Sequence, residues 1–371
     1  MEQLIANDTH VPHKDDDGVV RMYEIPDWWK GSAQDVCETV KLVKKGEVEE
    51  LCKTPGGWPV YMVRYGKKND LKRTANLSSA MGGDDFSAYA DKSGEDYVPT
   101  VCMVGACHGG EFEGTVAINN LIKNIETGTD YAGNENKELM DALKNINLLL
   151  IPCANMDGRA RIPVRTMVGQ SRSNFRRYCH GLWNDGTECM HPKCKTIHPI
   201  KEQSSLIGGY FNDDGVNIVH DNFFFPMAEE TKALLKIADE YVPDITLHLH
   251  SGAYNRPTFF LFDYMPKPVR DRMEELSHRV AGAYEALGIG EQFFDRPIKD
   301  RSEDGFPSFN ISSAWTAICG EPCIIHESNQ GVLMEDDLPR RNPHSFLFED
   351  IYLHHQILFK ETFNYVKECK K

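Results

Sequence analysis

The chain has 371 residues, enough for one large α/β domain or two ordinary ones, and its 41% hydrophobic and 26% charged content is that of a soluble globular protein. A net charge of −15 argues against a nucleic-acid surface, which is normally basic. No apolar run reaches the length that spans a membrane, so neither partner is expected.

The N-terminal stretch lacks the basic start and long apolar centre of a signal peptide, which leads us to expect a cytoplasmic protein. Residues 1–55 read as an N-terminal extension packed on the main domain, with residues 34–53 loosely helical. Residues 58–65 alternate as a strand does. The polar, glycine-rich stretch 67–97 predicts loops or a hairpin. Val101 to Ala106 is an apolar run that reads as a buried strand. It runs into Cys107-His108-Gly109-Gly110-Glu111, where a His and a Glu three positions apart can face one crevice and two glycines allow close backbone approach. Residues 112–126 predict a helix with Val116, Ile118, Leu121 and Ile122 inward. A second buried strand, 147–153, ends in Asn155-Met156-Asp157-Gly158.

Residues 159–214 read as a long irregular insert, rich in arginine and carrying Cys179, His180, Cys189, His191, Cys194 and His198. Loops of this length are usually lids or binding loops. The Cys/His spacing matches no regular zinc finger, so free residues are favoured over a second, structural zinc. A helix over 227–241 precedes a strand, 245–251, in which His248 and His250 share a face. A short strand at 258–262 and a helix over 269–287 follow. Residues 304–315 read as loop, 321–328 as a strand carrying His326 and Glu327, and 345–368 as a closing helix. Strands alternating with helices predict a single α/β domain with a parallel or mixed sheet covered on both faces. The eleven cysteines form no disulfide framework and read as reduced thiols.

Four buried strands thus each end in a polar cluster: His108/Glu111, Asn155/Asp157, His248/His250 and His326/Glu327. Ligands gather at such strand ends in α/β sheets. Two histidines and a glutamate make the three-ligand set of a catalytic zinc, one per chain. Glu327 is then a natural general base, and cations from the insert would stabilise an oxyanion. His248 is either a core histidine or a residue that orients a ligand.

Taken together, these residues resemble the zinc metallocarboxypeptidases of the carboxypeptidase A-like family. His108-Gly-Gly-Glu111 resembles the family's HxxE ligand pair, Asn155–Gly158 its N-P-D-G turn with Met for Pro, and His250-Ser251 its third ligand in a D-x-H-S strand, with His248 at the Asp position. Glu327 resembles the catalytic glutamate, with Trp315 twelve residues earlier. The resemblance implies a mixed, twisted sheet of roughly eight strands between helices, residues 56–371 as the catalytic domain, zinc held by His108, Glu111 and His250, and an oxyanion arginine after Gly158, Arg165 first and Arg161 in reserve. Gly215–Phe223 resembles the G-V-D-x-N-R-N-F segment with departures. Asn217 stands where an Asp orients a zinc-bound histidine, and Val219-His220 where an Asn-Arg pair grips a terminal carboxylate. Histidine does not reproduce arginine's planar fork. The expected substrate is therefore a peptide or an acylated amino acid. An aspartoacylase-type deacylase and a non-catalytic binding module are the alternatives.

Overall fold

A computed structural model describes residues 6–15, 19–252, 258–260, 265–287, 309–333 and 346–369. The chain opens with an antiparallel hairpin, β1 (His10–Lys14) and β2 (Val20–Glu24), and a helix, α1 (Ala33–Val40). Ser32 starts α1 with a capping box: its hydroxyl accepts from Asp35 N at 3.0 Å, and the Asp35 carboxylate accepts from Ser32 N at 2.9 Å. Strands β3 (Glu47–Lys53) and β4 (Pro59–Tyr65) follow, then a short helix, α2 (Leu77–Gly82), capped by Asn76. The centre consists of β5 (Thr100–Gly105), α3 (Glu113–Thr127), α4 (Lys137–Leu143), β6 (Asn147–Ile151) and α5 (Met156–Arg161). Next come α6 (Arg172–Cys179) and a small hairpin, β7 (Gly181–Trp183) with β8 (Ser204–Ile207). The chain continues through α7 (Glu229–Tyr241), β9 (Ile245–Gly252), β10 (Thr258–Phe260), α8 (Lys267–Ala286), α9 (Ile311–Cys319), β11 (Cys323–Asn329) and α10 (Phe348–Cys369).

The main sheet has seven strands among the described residues, in the order β10-β11-β9-β5-β6-β4-β3. The count falls short of the eight or so expected because β1–β2 and β7–β8 pair only with each other. The four central strands, β11, β9, β5 and β6, are mutually parallel, and antiparallel strands flank them on both sides. Alternate residues of the central strands enter two cores. Cys102, Val104, Leu149 and Ile151 face a layer that includes Leu234 and Ile237 of α7 and Trp315 of α9. Val101, Met103, Leu148 and Leu150 face α3, α8 and α10 through Ile118, Leu121, Leu276 and Phe363. Strands buried on both faces in this way read as unbroken apolar runs.

Three expectations change. Glu47–Lys53 is a strand, not a helix; it lies at the sheet edge with both faces largely exposed, where glutamates guard against stray pairing and no alternation is needed. Residues 311–319 are helical rather than loop, because Asn310 Oδ1 accepts from Ser312 N and Ser313 N and starts α9. The insert is not structureless, since it holds α6 and the β7–β8 hairpin. Residues 304–308 of the expected loop, the start of the closing helix at 345 and the end of the 258–262 strand lie outside the described residues. All eleven cysteines are free thiols. Among the described residues no helix is long and apolar enough to cross a membrane.

Candidate metal centre

The ligand loop leaves β5 through Ala106, whose φ of 45° lies in the left-handed region that residues with a side chain rarely enter. Gly109 and Gly110 are needed for close packing. A Cβ on Gly109 would stand 2.1 Å from Arg159 N, and one on Gly110 would stand 2.5 Å from Cys179 Sγ. The Asn155–Gly158 turn expected beside them is the start of α5, where Asn155 Oδ1 accepts from Gly158 N at 2.9 Å. Asp157 beside it accepts from Gly56 N at 3.1 Å and Asp213 N at 2.9 Å, and so ties the β3–β4 turn and the insert to the site.

His108, Glu111 and His250 converge and are buried, with their candidate ligand atoms all within 4.8 Å of one another. His108 Nδ1 lies 2.9 Å from Glu111 Oε1, and His250 Nδ1 lies 2.8 Å from Glu111 Oε2. Burial pushes the His108 ring below its ordinary pKa against the pull of Glu111. Burial opposes His250 in the same way, but hydrogen bonds to Cys107 and Glu111 hold its pKa up. Two imidazoles around one carboxylate, closed off from water, fit a zinc ion's preference for nitrogen and oxygen donors. Among the described residues no second group of three such side chains comes together.

Asn217 stands behind the first ligand. His108 Nε2 lies 3.3 Å from Asn217 Oδ1, an oxygen that also accepts from Val219 N at 3.0 Å. An Nε2–H donated to that amide oxygen leaves the Nδ1 lone pair facing Glu111 and a metal. Tyr210 stacks on the other side of His108, with ring centroids 3.8 Å apart and planes 7° apart. Glu327 is directly opposite His250 in the parallel β11–β9 register, so both side chains leave the same face of the sheet. His326 points to the other face, against Phe259 and Tyr284. His248 is a core histidine: its Nδ1 lies 2.8 Å from Ser312 Oγ and its ring packs edge-on to Trp315.

Arg165 and Arg161 are each engaged by partners of their own. Arg165 donates to the carbonyl of Asp8 at 3.4 Å. Arg161 pairs with Asp213 and donates to the carbonyls of Ile207, Gly208 and Phe211. Lys195, in a 3-10 turn of the insert (Lys193–Lys195), lies within electrostatic reach of His108. Lys195 also acts on His191 and on His220, whose ring burial pushes down to about 2. His220 sits in the 3-10 turn Ile218–His220, within electrostatic reach of both His108 and His250. Four side chains here are not foreshadowed by any motif: Lys195, Tyr210, Glu113 and Gln330. Only the second acid of Glu111-Phe112-Glu113 is a signal in the sequence, and it reads as an ordinary acid at a helix start.

A mixed sheet whose central parallel strands deliver a buried His–Glu–His cluster, with a carboxylate in register beside it, is the architecture of a metal-dependent hydrolase. The zinc carboxypeptidase family model matches residues 44–301, and the chain belongs to that family. Glu327 lies beyond the matched segment. The fold is similar to that of a metallo-carboxypeptidase from Burkholderia cenocepacia, 12% identical over 97% of this chain and 81% of that one, with a TM-score of 0.56. It is also similar to bovine thrombin-activatable fibrinolysis inhibitor, seen in complex with tick carboxypeptidase inhibitor, 10% identical over 93% of this chain and all of that one (100%), with a TM-score of 0.52. No curated protein matches the chain.

Proposed function

We propose that this chain is a zinc-dependent hydrolase that cleaves an amide bond in a peptide or an acylated amino acid, with one zinc per chain. The observation that carries the reading is the His108–Glu111–His250 cluster with Glu327 in register beside it. When bound, zinc supplies Lewis acidity, polarising a carbonyl oxygen and bringing the pKa of water near 7. Glu327 takes the proton that the attacking water loses as its oxygen bonds to the carbonyl carbon. It then returns that proton to the leaving nitrogen as the C–N bond breaks. A cation of the insert would face the negative charge that develops on the carbonyl oxygen, and Lys195, within electrostatic reach of His108, is the candidate we favour over Arg165 and Arg161. Asn217 keeps His108 in one tautomer throughout.

A deacylase of the aspartoacylase type is favoured as a second reading by one feature. Val219 and His220 stand where a carboxylate-gripping Asn-Arg pair would be, and Arg161 is occupied with Asp213 and backbone carbonyls. Glu327→Gln, assayed on peptides and on N-acyl amino acids with zinc content measured alongside, tests the catalytic reading. The substitution is expected to remove turnover by orders of magnitude and leave about one zinc per chain. Wild type inert on both substrate classes, with a zinc content like the variant's, would favour a binding protein instead.

A further inference from the structure

Glu113 is the first residue of α3, two positions after the ligand Glu111, and it is buried. An acid at a helix start normally faces water and the helix dipole. This one faces inward. Its Oε2 accepts from Ser251 Oγ at 2.5 Å, and Gln330 Nε2 lies 3.5 Å from the same oxygen. Gln330 Nε2 also donates to the carbonyl of Gly110 at 2.8 Å. Ser251 N in turn lies 3.4 Å from Glu111 Oε2. Three segments therefore meet at one carboxyl group. They are the loop bearing His108 and Glu111, the end of β9 bearing His250, and the chain just after β11, three residues beyond Glu327.

We propose that Glu113 is a positioning residue that fixes the third ligand and the base relative to the HxxE loop, so that the metal site is assembled before metal arrives. The proposal rests on the zinc reading above and deepens it. The β9–β11 ladder runs past His250 and Glu327 and fixes those two relative to each other, but the β5–β9 ladder ends at Gly105 and Leu249, before the HxxE loop begins, and cannot tie that loop to them. Beyond that point Ser251, Gln330 and Glu113 carry the register across. A buried carboxyl with one oxygen, Oε1, that finds no partner among the described residues is costly, which points to a role beyond stability.

The test is zinc affinity of the metal-free protein, measured by competition with a chromophoric chelator, in wild type, Glu113→Ala, Glu113→Gln and Ser251→Ala. Loss of a group that orients ligands costs about 10- to 100-fold in affinity, and Glu113→Ala and Ser251→Ala are expected to fall in that range. Glu113→Gln keeps an oxygen for Ser251 and is expected to recover most of the loss. A solely structural acid would lower the melting temperature of the metal-free variants and leave their zinc affinity at the wild-type value, and that result would overturn the proposal. Should Glu113→Ala not fold, Ser251→Ala decides alone, since it removes the link and leaves the carboxyl in place. Wild type that takes up no zinc would overturn the metal reading itself, a failure distinct from unchanged affinity in the variants.

Discussion

Asn217 acts on His108 through a carbonyl oxygen and carries no charge, which makes it a separable part of the site. Asn217→Ala is expected to weaken zinc binding by about 10- to 100-fold, while Asn217→Asp, which keeps an acceptor at the same place, should bind at least as well; chelator competition reads both. Lys195 belongs to a different step. Lys195→Ala is expected to lower kcat by about 10²- to 10³-fold, the usual loss for one oxyanion donor, with zinc content intact. Steady-state kinetics that show only a raised KM would reassign it to substrate binding. The convergence of His108, Glu111 and His250 was legible in the sequence because residues at strand ends in one sheet have few places for their side chains to go. Lys195 and Tyr210 were not, because the path of the insert that carries them is set by tertiary packing and not by any local period.

Elements were legible to the extent that they are buried. β5, β6, β9 and β11 were all recovered as apolar runs, whereas β3, which has little to bury, was taken for a helix from the charges that protect it. α9 was lost for a related reason: its start is written in Asn310 and Ser313, and polar residues in a row look like loop. The junction of the ligand loop with α5 makes a prediction at this scale. Gly109→Ala would drive a methyl group into the backbone at Gly158 and Arg159, which has no flexible end to move aside. It should destabilise the fold by about 3 kcal/mol or more, visible as a lower urea midpoint, whereas alanine at Gly128, a helix end with open space around it, should cost far less despite its φ of 87°.

At the scale of the molecule, the buried histidines set a limit in acid. Burial lowers His248 and His354 to about 3 and His355 to about 4, and holds His326 well below its ordinary value. In the unfolded chain each of them takes up a proton near pH 6.5. Between that pH and the folded values the unfolded state binds more protons, so stability rises with pH and is lost as the medium becomes more acid. A urea midpoint that falls steadily from pH 7.5 to pH 4.5 is expected. A flat profile would mean that these rings are not held neutral.

The two-sided burial of β5 has a further consequence, for how such a chain can change over generations. Removing one residue between Thr100 and Gly105 would exchange the contents of the two cores. It would also draw His108 and Glu111 back by about 3.3 Å, one residue of rise, while His250 stayed where it is. No local repair can mend both faults at once. Residues 159–214 lie outside the sheet and bring Lys195 and Tyr210 toward the cluster, and only parts of them, such as Arg159 and Cys179, are packed against its glycines. Length can therefore vary more readily in the insert than in the strand that carries His108 and Glu111. A lineage built this way can remodel the surroundings of the buried cluster without disturbing the cluster itself.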